Sequence, residues 1–213
     1  HFSQDKALLA AFHADEDIHA ATAAAVYGVP LDQVTKDMRR VAKTINFGVA
    51  YGVGGYGLAQ STGLPQDEAT RLIAEYFARY PGIKTYVEET RRQAHRDGYV
   101  TTLLGRRRYL PELKAQNRQL VSAGERMAIN MPIQGTAADI IKVAMVRVAA
   151  AMAEKGMRSK MILQVHDELV FEVEPAELDD LRPLVKSLME TALPMSVPIK
   201  VDVKVGKNWD EMS

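Results

Sequence analysis

Residues 161–173, MILQVHDELVFEV, set a histidine and two carboxylates, His166, Asp167 and Glu168, between two runs of alternating apolar residues. Met161, Leu163 and Val165 alternate before the interruption, and Leu169, Phe171 and Val173 after it. With almost nothing between them, the runs can only form an antiparallel hairpin with the polar triplet at its tip. Asp is a common turn residue, so a plain turn accounts for Asp167 alone. It does not account for the three polar groups together. Adjacent carboxylates repel one another and are better tolerated beside a divalent cation, which makes the tip a candidate cation site.

A second set lies in KDMRRVAKTINFGVAYG, residues 36–52. On a helical wheel Met38, Val41, Ala42, Ile45 and Val49 gather on one side as a core-facing stripe. Arg39, Lys43, Phe47 and Tyr51 recur every four residues on the other. Aromatic residues of an amphipathic helix usually join the apolar face, so two rings sharing a face with two cations suggest a ligand surface. At a rise of about 1.5 Å per residue, Lys43 lies roughly 6 Å from Phe47 and roughly 12 Å from Tyr51 along the axis. That is the scale of a nucleoside triphosphate, with cations on the phosphates and a ring against the base.

A third set, Arg126, Asn130 and Gln134, is again spaced by four in ERMAINMPIQG. Asn and Gln can bond the minor-groove acceptors that all base pairs present at similar positions, a readout nearly independent of sequence. The segment GVGGYG, residues 52–57, fits G-x-G-x-x-G. A dinucleotide site would need a strand before it, and here a helix precedes it. Its glycines are read instead as ending that helix and permitting hinge motion.

Positioning these groups requires two kinds of structure. Up to about residue 120 the sequence predicts successive helices, punctuated by GVPLD, STGLPQDEA and YPGIK. Residues 119–155 predict a second helical region, interrupted at NMPIQGTAAD, where Pro132 must end or kink the helix and Thr136 with Asp139 resembles a capping box restarting it. After Gly156 the period changes to alternation: SKMILQV and ELVFEV predict two strands, PAELDDLRPLVKSLMETAL a helix, and PIKVDVKVG a third strand.

The 213 residues are 47% hydrophobic, enough for a buried core, and contain no cysteine. Disulfides and thiolate metal sites are thereby excluded, which suits a reducing cytoplasm. No apolar run approaches the roughly 18 residues a membrane span needs. The zero net charge conceals an uneven distribution: Arg79 to Arg126 holds 11 Lys or Arg against 5 Asp or Glu, and Asp167 to Ser213 holds 5 against 11. A basic middle suits phosphates and an acidic end suits cations, and two solvated faces would give the same counts.

Taken together, these motifs resemble the bacterial DNA polymerase I family, the family A DNA polymerases, over essentially the whole chain. RRVAKTINFGVAYG is similar to that family's fingers-helix motif, QVHDELV to its palm carboxylate motif, and ERMAINMPIQGTAAD to the segment between them. The resemblance implies an α+β, mostly helical fold: a helical fingers subdomain, 1–120, then the carboxy-terminal part of a palm, 121–213, with an antiparallel sheet and a carboxylate-bearing hairpin.

It also implies roles. Arg39, Lys43 and His19 would bind the incoming triphosphate, with Lys43 placed to neutralise or protonate the leaving pyrophosphate. Phe47 would pack against sugar and base, and Tyr51 would guard the insertion site. Arg126, Asn130 and Gln134 would touch the primer-template, His166 the primer end, and Arg108 of GRRRY the nucleic-acid backbone. Asp167 would be a catalytic metal ligand with Glu168 as support. The implied activity is template-directed DNA synthesis in replication and repair, by nucleotidyl transfer with two Mg²⁺ ions, in the bacterial cytoplasm at the nucleoid. The implied partners are primer-template DNA and deoxynucleoside triphosphates, with no membrane.

The family needs a second Asp, in a strand motif of the type D-Y-S-Q-I-E-L-R. The opening HFSQDKALLAAF fits the segment that follows this motif, and the spacing to DIH agrees. The expectation is a fragment that begins just after the first metal ligand, is inactive alone, and is completed by the missing amino-terminal part. Two alternatives stand beside it. A single-subunit RNA polymerase shares the architecture, and a nonenzymatic helical nucleic-acid-binding module would explain the basic middle but not the carboxylate tip.

Overall fold

The computed structural model describes residues 1–212 and forms two compact units, His1–Gly135 and Thr136–Ser213. In the first, short helices are punctuated by side-chain caps and left-handed glycines. Asp5 accepts from the Ala7 and Leu8 N–H groups and so starts α1, Lys6–His13; its other oxygen accepts from Gly82 N. Asp17 starts α2, Ile18–Tyr27, which ends at Gly28 with φ 68°. Thr35 caps α3, Lys36–Ala50. Then follow α4, Gly55–Thr62, α5, Gln66–Arg79, and α6, Pro81–Asp97.

The apolar stripes of these helices meet in one core. Val26 of α2, Val41, Ile45 and Val49 of α3, Leu58 of α4, and Leu72 and Tyr76 of α5 pack together. Ile45 is fully buried, and its truncation to Ala would cost about 2–5 kcal/mol. The core-facing stripe of α3 is thus as the sequence predicts. Its opposite face, with Phe47 52% and Tyr51 41% exposed, is left to solvent.

Helix runs to residue 120 are not continuous. After α6, the strands β1, Tyr99–Thr101, and β2, Arg107–Tyr109, pair antiparallel, with Val100 opposite Arg108. The expectation of helices alone overlooks this hairpin, because three-residue strands are too short to show alternation. Val100 and Leu110 anchor it against Ala94 of α6 and Ala128.

Ala128 lies on α7, Arg118–Glu154, a 37-residue helix with Pro132 inside it. The helix therefore does not end at Pro132. A proline removes one backbone donor and crowds one carbonyl, but Pro132 is itself buried and the helix continues through it. Thr136 and Asp139, both buried in the helix interior, do not restart it as a capping box.

In the second unit, β3, Lys160–Val165, and β4, Glu168–Glu172, pair antiparallel, with Val165 opposite Glu168. The register slips between Met161 and Leu163, which leaves Ile162 as a bulge. The following α8, Leu178–Glu190, packs Leu181 and Val185 on Val148 and Met152 of α7, with Phe171 of β4 against the same cluster. The predicted third strand in PIKVDVKVG does not form among the described residues. Alternation makes a strand only where a neighbouring backbone accepts the ladder. Here Val201 N donates instead to the Glu190 carboxylate at 3.1 Å.

Candidate functional site

The exposed face of α3 is built by Arg39, Lys43, Phe47 and Tyr51, one per turn. The Lys43 ammonium lies 5.9 Å from the Phe47 ring centre, within cation–π range. Lys43, Phe47 and Tyr51 line an open cavity of about 370 Å³, with Arg40 and Thr44 at its side. The start of α2 adds His19, whose ring centre is 5.7 Å from that of Phe47. Four of the expected nucleotide-binding groups, His19, Arg39, Lys43 and Phe47, thus converge.

Asp17 organises the convergence. Its Oδ1 accepts from His19 N and Ala20 N, which fixes the start of α2, and its Oδ2 accepts from Arg39 Nε at 2.8 Å. The Arg39 hydrogen bond, with help from the helix N–H groups, holds the Asp17 carboxyl below its ordinary range against a smaller effect of burial. Burial chiefly lowers the His19 imidazole below its usual value; Arg39 and Lys43 push the same way and Asp17 opposes them. His19 is therefore neutral at pH 7. Its Nδ1 faces the Asn46 side-chain Nδ2 at 3.0 Å.

The expected primer-template groups follow one another on α7. Arg126 is exposed and donates to Ser122 Oγ at 2.8 Å, and Asn130 has a buried Oδ1 without a hydrogen-bond partner among the described residues. Gln134 reaches the Tyr51 hydroxyl. Arg108 stands on β2, donating to Met127 Sδ, and beside it the Arg107 guanidinium covers the Tyr99 ring at 4.8 Å. In GVGGYG, Gly52 takes φ 70° directly after α3, and α4 starts inside the motif. A helix, not a strand, precedes it.

In the other unit, His166 and Asp167 form the two-residue turn between β3 and β4, and Glu168 opens β4. All three are exposed. His166 has φ 54°, a conformation that costs a residue with a side chain about 1 kcal/mol or more. No group of three His, Asp or Glu close enough to hold a metal occurs among the described residues. The donor set still fits Mg²⁺, which binds through one or two carboxylates and completes its shell with water and substrate phosphate.

Asp17 and Asn46 have no role in the sequence analysis, whereas Gly52, at φ 70° just past α3, fits the reading of the GVGGYG glycines as ending that helix. Asp17 carried a signal, as an N-cap residue ahead of an apolar run. Asn46 carried none, since its role depends on the meeting of α2 and α3.

A family model described as DNA polymerase family A matches residues 1–211. The chain belongs to the family A DNA polymerases. It is 47% identical over 210 residues to DNA polymerase I of Mycobacterium tuberculosis H37Rv, covering 99% of this chain and 23% of that protein. It is 50% identical over 211 residues to DNA polymerase I of Pseudomonas aeruginosa PAO1, again 99% of this chain and 23% of that protein. Among solved structures, the POL domain of Pol1 from M. smegmatis, in complex with DNA primer-template and dNTP, matches with a TM-score of 0.94 at 47% identity, over 100% of this chain and 37% of that one. This family A segment thus spans about a quarter of the length of the curated relatives it matches. No helix among its described residues is long and apolar enough to cross a membrane.

Proposed function

We propose that this chain supplies the nucleotide-binding helix and one catalytic carboxylate of a DNA-directed DNA polymerase, which adds deoxynucleotides to a primer 3′ end under the direction of a template. The observation that carries the reading is the convergence of His19, Arg39 and Lys43 beside the exposed Phe47 ring. Arg39 spends its Nε–H on Asp17 and keeps both Nη groups for phosphate oxygens. Lys43 meets the charge that grows on the leaving pyrophosphate and can deliver a proton to it. Phe47 offers a face to the sugar and base, and Tyr51 closes that end of the cavity.

At the hairpin tip Asp167 would hold Mg²⁺, with Glu168 in support and His166 at the primer end. When bound, two Mg²⁺ ions supply Lewis-acid stabilisation of charge on the reacting oxygens. Arg126, Asn130 and Gln134 would contact primer-template, and Arg108 its backbone. Residues 1–120 are read as fingers and 121–213 as part of the palm, in a cytoplasmic enzyme. The second metal-binding Asp would come from polymerase sequence amino-terminal to this segment.

The experiment is single-turnover incorporation by the full-length protein on a labelled primer-template, with and without Mg²⁺, for each of the four deoxynucleotides. Magnesium-dependent addition of the complementary nucleotide, abolished by Asp167→Asn with primer-template binding intact, is expected. Primer-template binding without any such preference would leave only a nucleic-acid-binding module.

A further inference from the structure

Between α2 and α3 runs a chain of hydrogen bonds from the core to the candidate phosphate site. At its inner end the buried Tyr80 hydroxyl lies 3.3 Å from the fully buried Thr22 Oγ1. Thr22 Oγ1 in turn lies 3.2 Å from both the Oδ1 and the Nδ2 of Asn46. At the outer end Asn46 Nδ2 is 3.0 Å from His19 Nδ1. We propose that Asn46 is a positioning residue for nucleotide binding, which holds His19 in the tautomer whose Nε2 carries the proton and is aimed at the triphosphate. The proposal rests on the reading of His19 as a phosphate contact.

An amide NH₂ has protons to give and no lone pair to receive one, so His19 Nδ1 must accept. In a neutral imidazole the other nitrogen then carries the hydrogen. The groups facing His19 are the Arg39 guanidinium and Lys43 ammonium of α3, the Asp17 carboxylate ahead of α2, and the Phe47 ring. Burial first, and then two cations against one carboxylate, disfavour the imidazolium. A neutral His19 offers a phosphate no net charge, only a directional N–H. The opposite tautomer would turn a lone pair towards the phosphate oxygens, so the contact depends on which nitrogen is protonated. Asn46, with its NH₂ towards the ring, sets that choice; Thr22, 3.2 Å from both amide atoms, and Tyr80 hold the amide between α2 and α3.

The test uses the full-length polymerase with ¹⁵N-labelled histidine. Long-range ¹⁵N–¹H spectra are expected to show His19 as the Nε2–H tautomer, mixed in Asn46→Ala. In Asn46→Asp a carboxylate would face Nδ1, and the His19 titration midpoint should rise. In single-turnover incorporation, Asn46→Ala is expected to weaken the complementary deoxynucleotide by roughly three- to tenfold, the scale of one hydrogen bond. In a His19→Ala background it should cost nothing further.

A parent spectrum with the proton on Nδ1 would overturn the proposal. So would an undiminished Asn46→Ala loss in the His19→Ala background, because Asn46 would then act only as a brace between helices. The two readings fail in different ways. If His19→Ala leaves nucleotide affinity unchanged, the placement of His19 at the phosphates is wrong. If His19→Ala weakens binding and Asn46→Ala does not, only the positioning role is lost.

Discussion

Gln134 donates its side-chain N–H to the Tyr51 hydroxyl at 3.0 Å, tying the residue that caps α3 to the expected primer-template stripe of α7. Both side chains are exposed, so the bond competes with water. Tyr51→Phe and Gln134→Ala should therefore each cost about 0.5–1 kcal/mol, and the double substitution no more than either alone. Urea unfolding of the four proteins checks this. Additive losses would show that the two groups do not act through one bond.

Gly52 follows Tyr51 with φ 70°, and a Cβ there would meet Arg126 Cγ at 3.0 Å and Ile129 Cδ1 at 3.2 Å. Gly52→Ala must adopt a left-handed conformation and displace two side chains of α7 as well. A loss of about 1–2 kcal/mol is expected in thermal or urea unfolding. A neutral substitution would mean that the chain leaves α3 by another path.

How far the sequence foretells this structure depends on the range of the interaction. The stripe of Val41, Ile45 and Val49 and the opposite exposure of Phe47 and Tyr51 are set by helical period, and the structure has both. The β3–β4 hairpin follows from two alternating runs with no room for a crossover. The misses are tertiary. Proline ends or kinks helices in isolation, but Pro132 is buried and α7 continues through it. Val201, Val203 and Val205 alternate as a strand should, yet without a neighbouring strand Val205 is 54% exposed. Asn46 joins His19 only because two helices cross.

The Asp17–Arg39 pair predicts a pH dependence. The Asp17 carboxyl is lowered below its ordinary value of 3.8, chiefly by the Arg39 hydrogen bond. Its contribution to stability is therefore complete above that value and disappears as pH falls through the lower, folded-state value. Both side chains are 46% exposed, so the pair contributes less than about 1 kcal/mol. Asn also caps helices, so Asp17→Asn isolates the charge. Unfolding in urea should find the variant slightly weaker at pH 7, with the gap closing towards pH 2. A gap that widens in acid would mean that the Asp17 carboxylate is not stabilised by Arg39 in the folded protein.

Lys43 should act on chemistry as well as binding. If it contacts the triphosphate as proposed, its ammonium would meet a negative charge that increases from bound triphosphate to leaving pyrophosphate. Lys43→Ala is expected to raise the nucleotide Kd and to slow single-turnover incorporation by about 10²-fold or more. A variant that binds weakly but reacts at the parental rate once saturated would confine Lys43 to ground-state binding.

His166 brings the fold and the proposed chemistry into conflict. At φ 54° it occupies the first central position of a two-residue hairpin turn, where glycine is the least costly residue. Folding alone therefore favours His166→Gly, by up to about 1 kcal/mol after allowance for the greater freedom of glycine in the unfolded chain. If His166 contacts the primer end, the same substitution should reduce extension, so that the more stable protein is the poorer enzyme. His166→Ala separates the effects: it keeps the left-handed conformation of a residue with a side chain, removes the imidazole, and should lower extension without the gain in stability. The measurements are urea unfolding and single-turnover primer extension on the three proteins. A destabilised glycine variant would show that the turn is not strained at His166. Full extension by both variants would remove His166 from the primer end and leave the tip to Asp167 and Glu168.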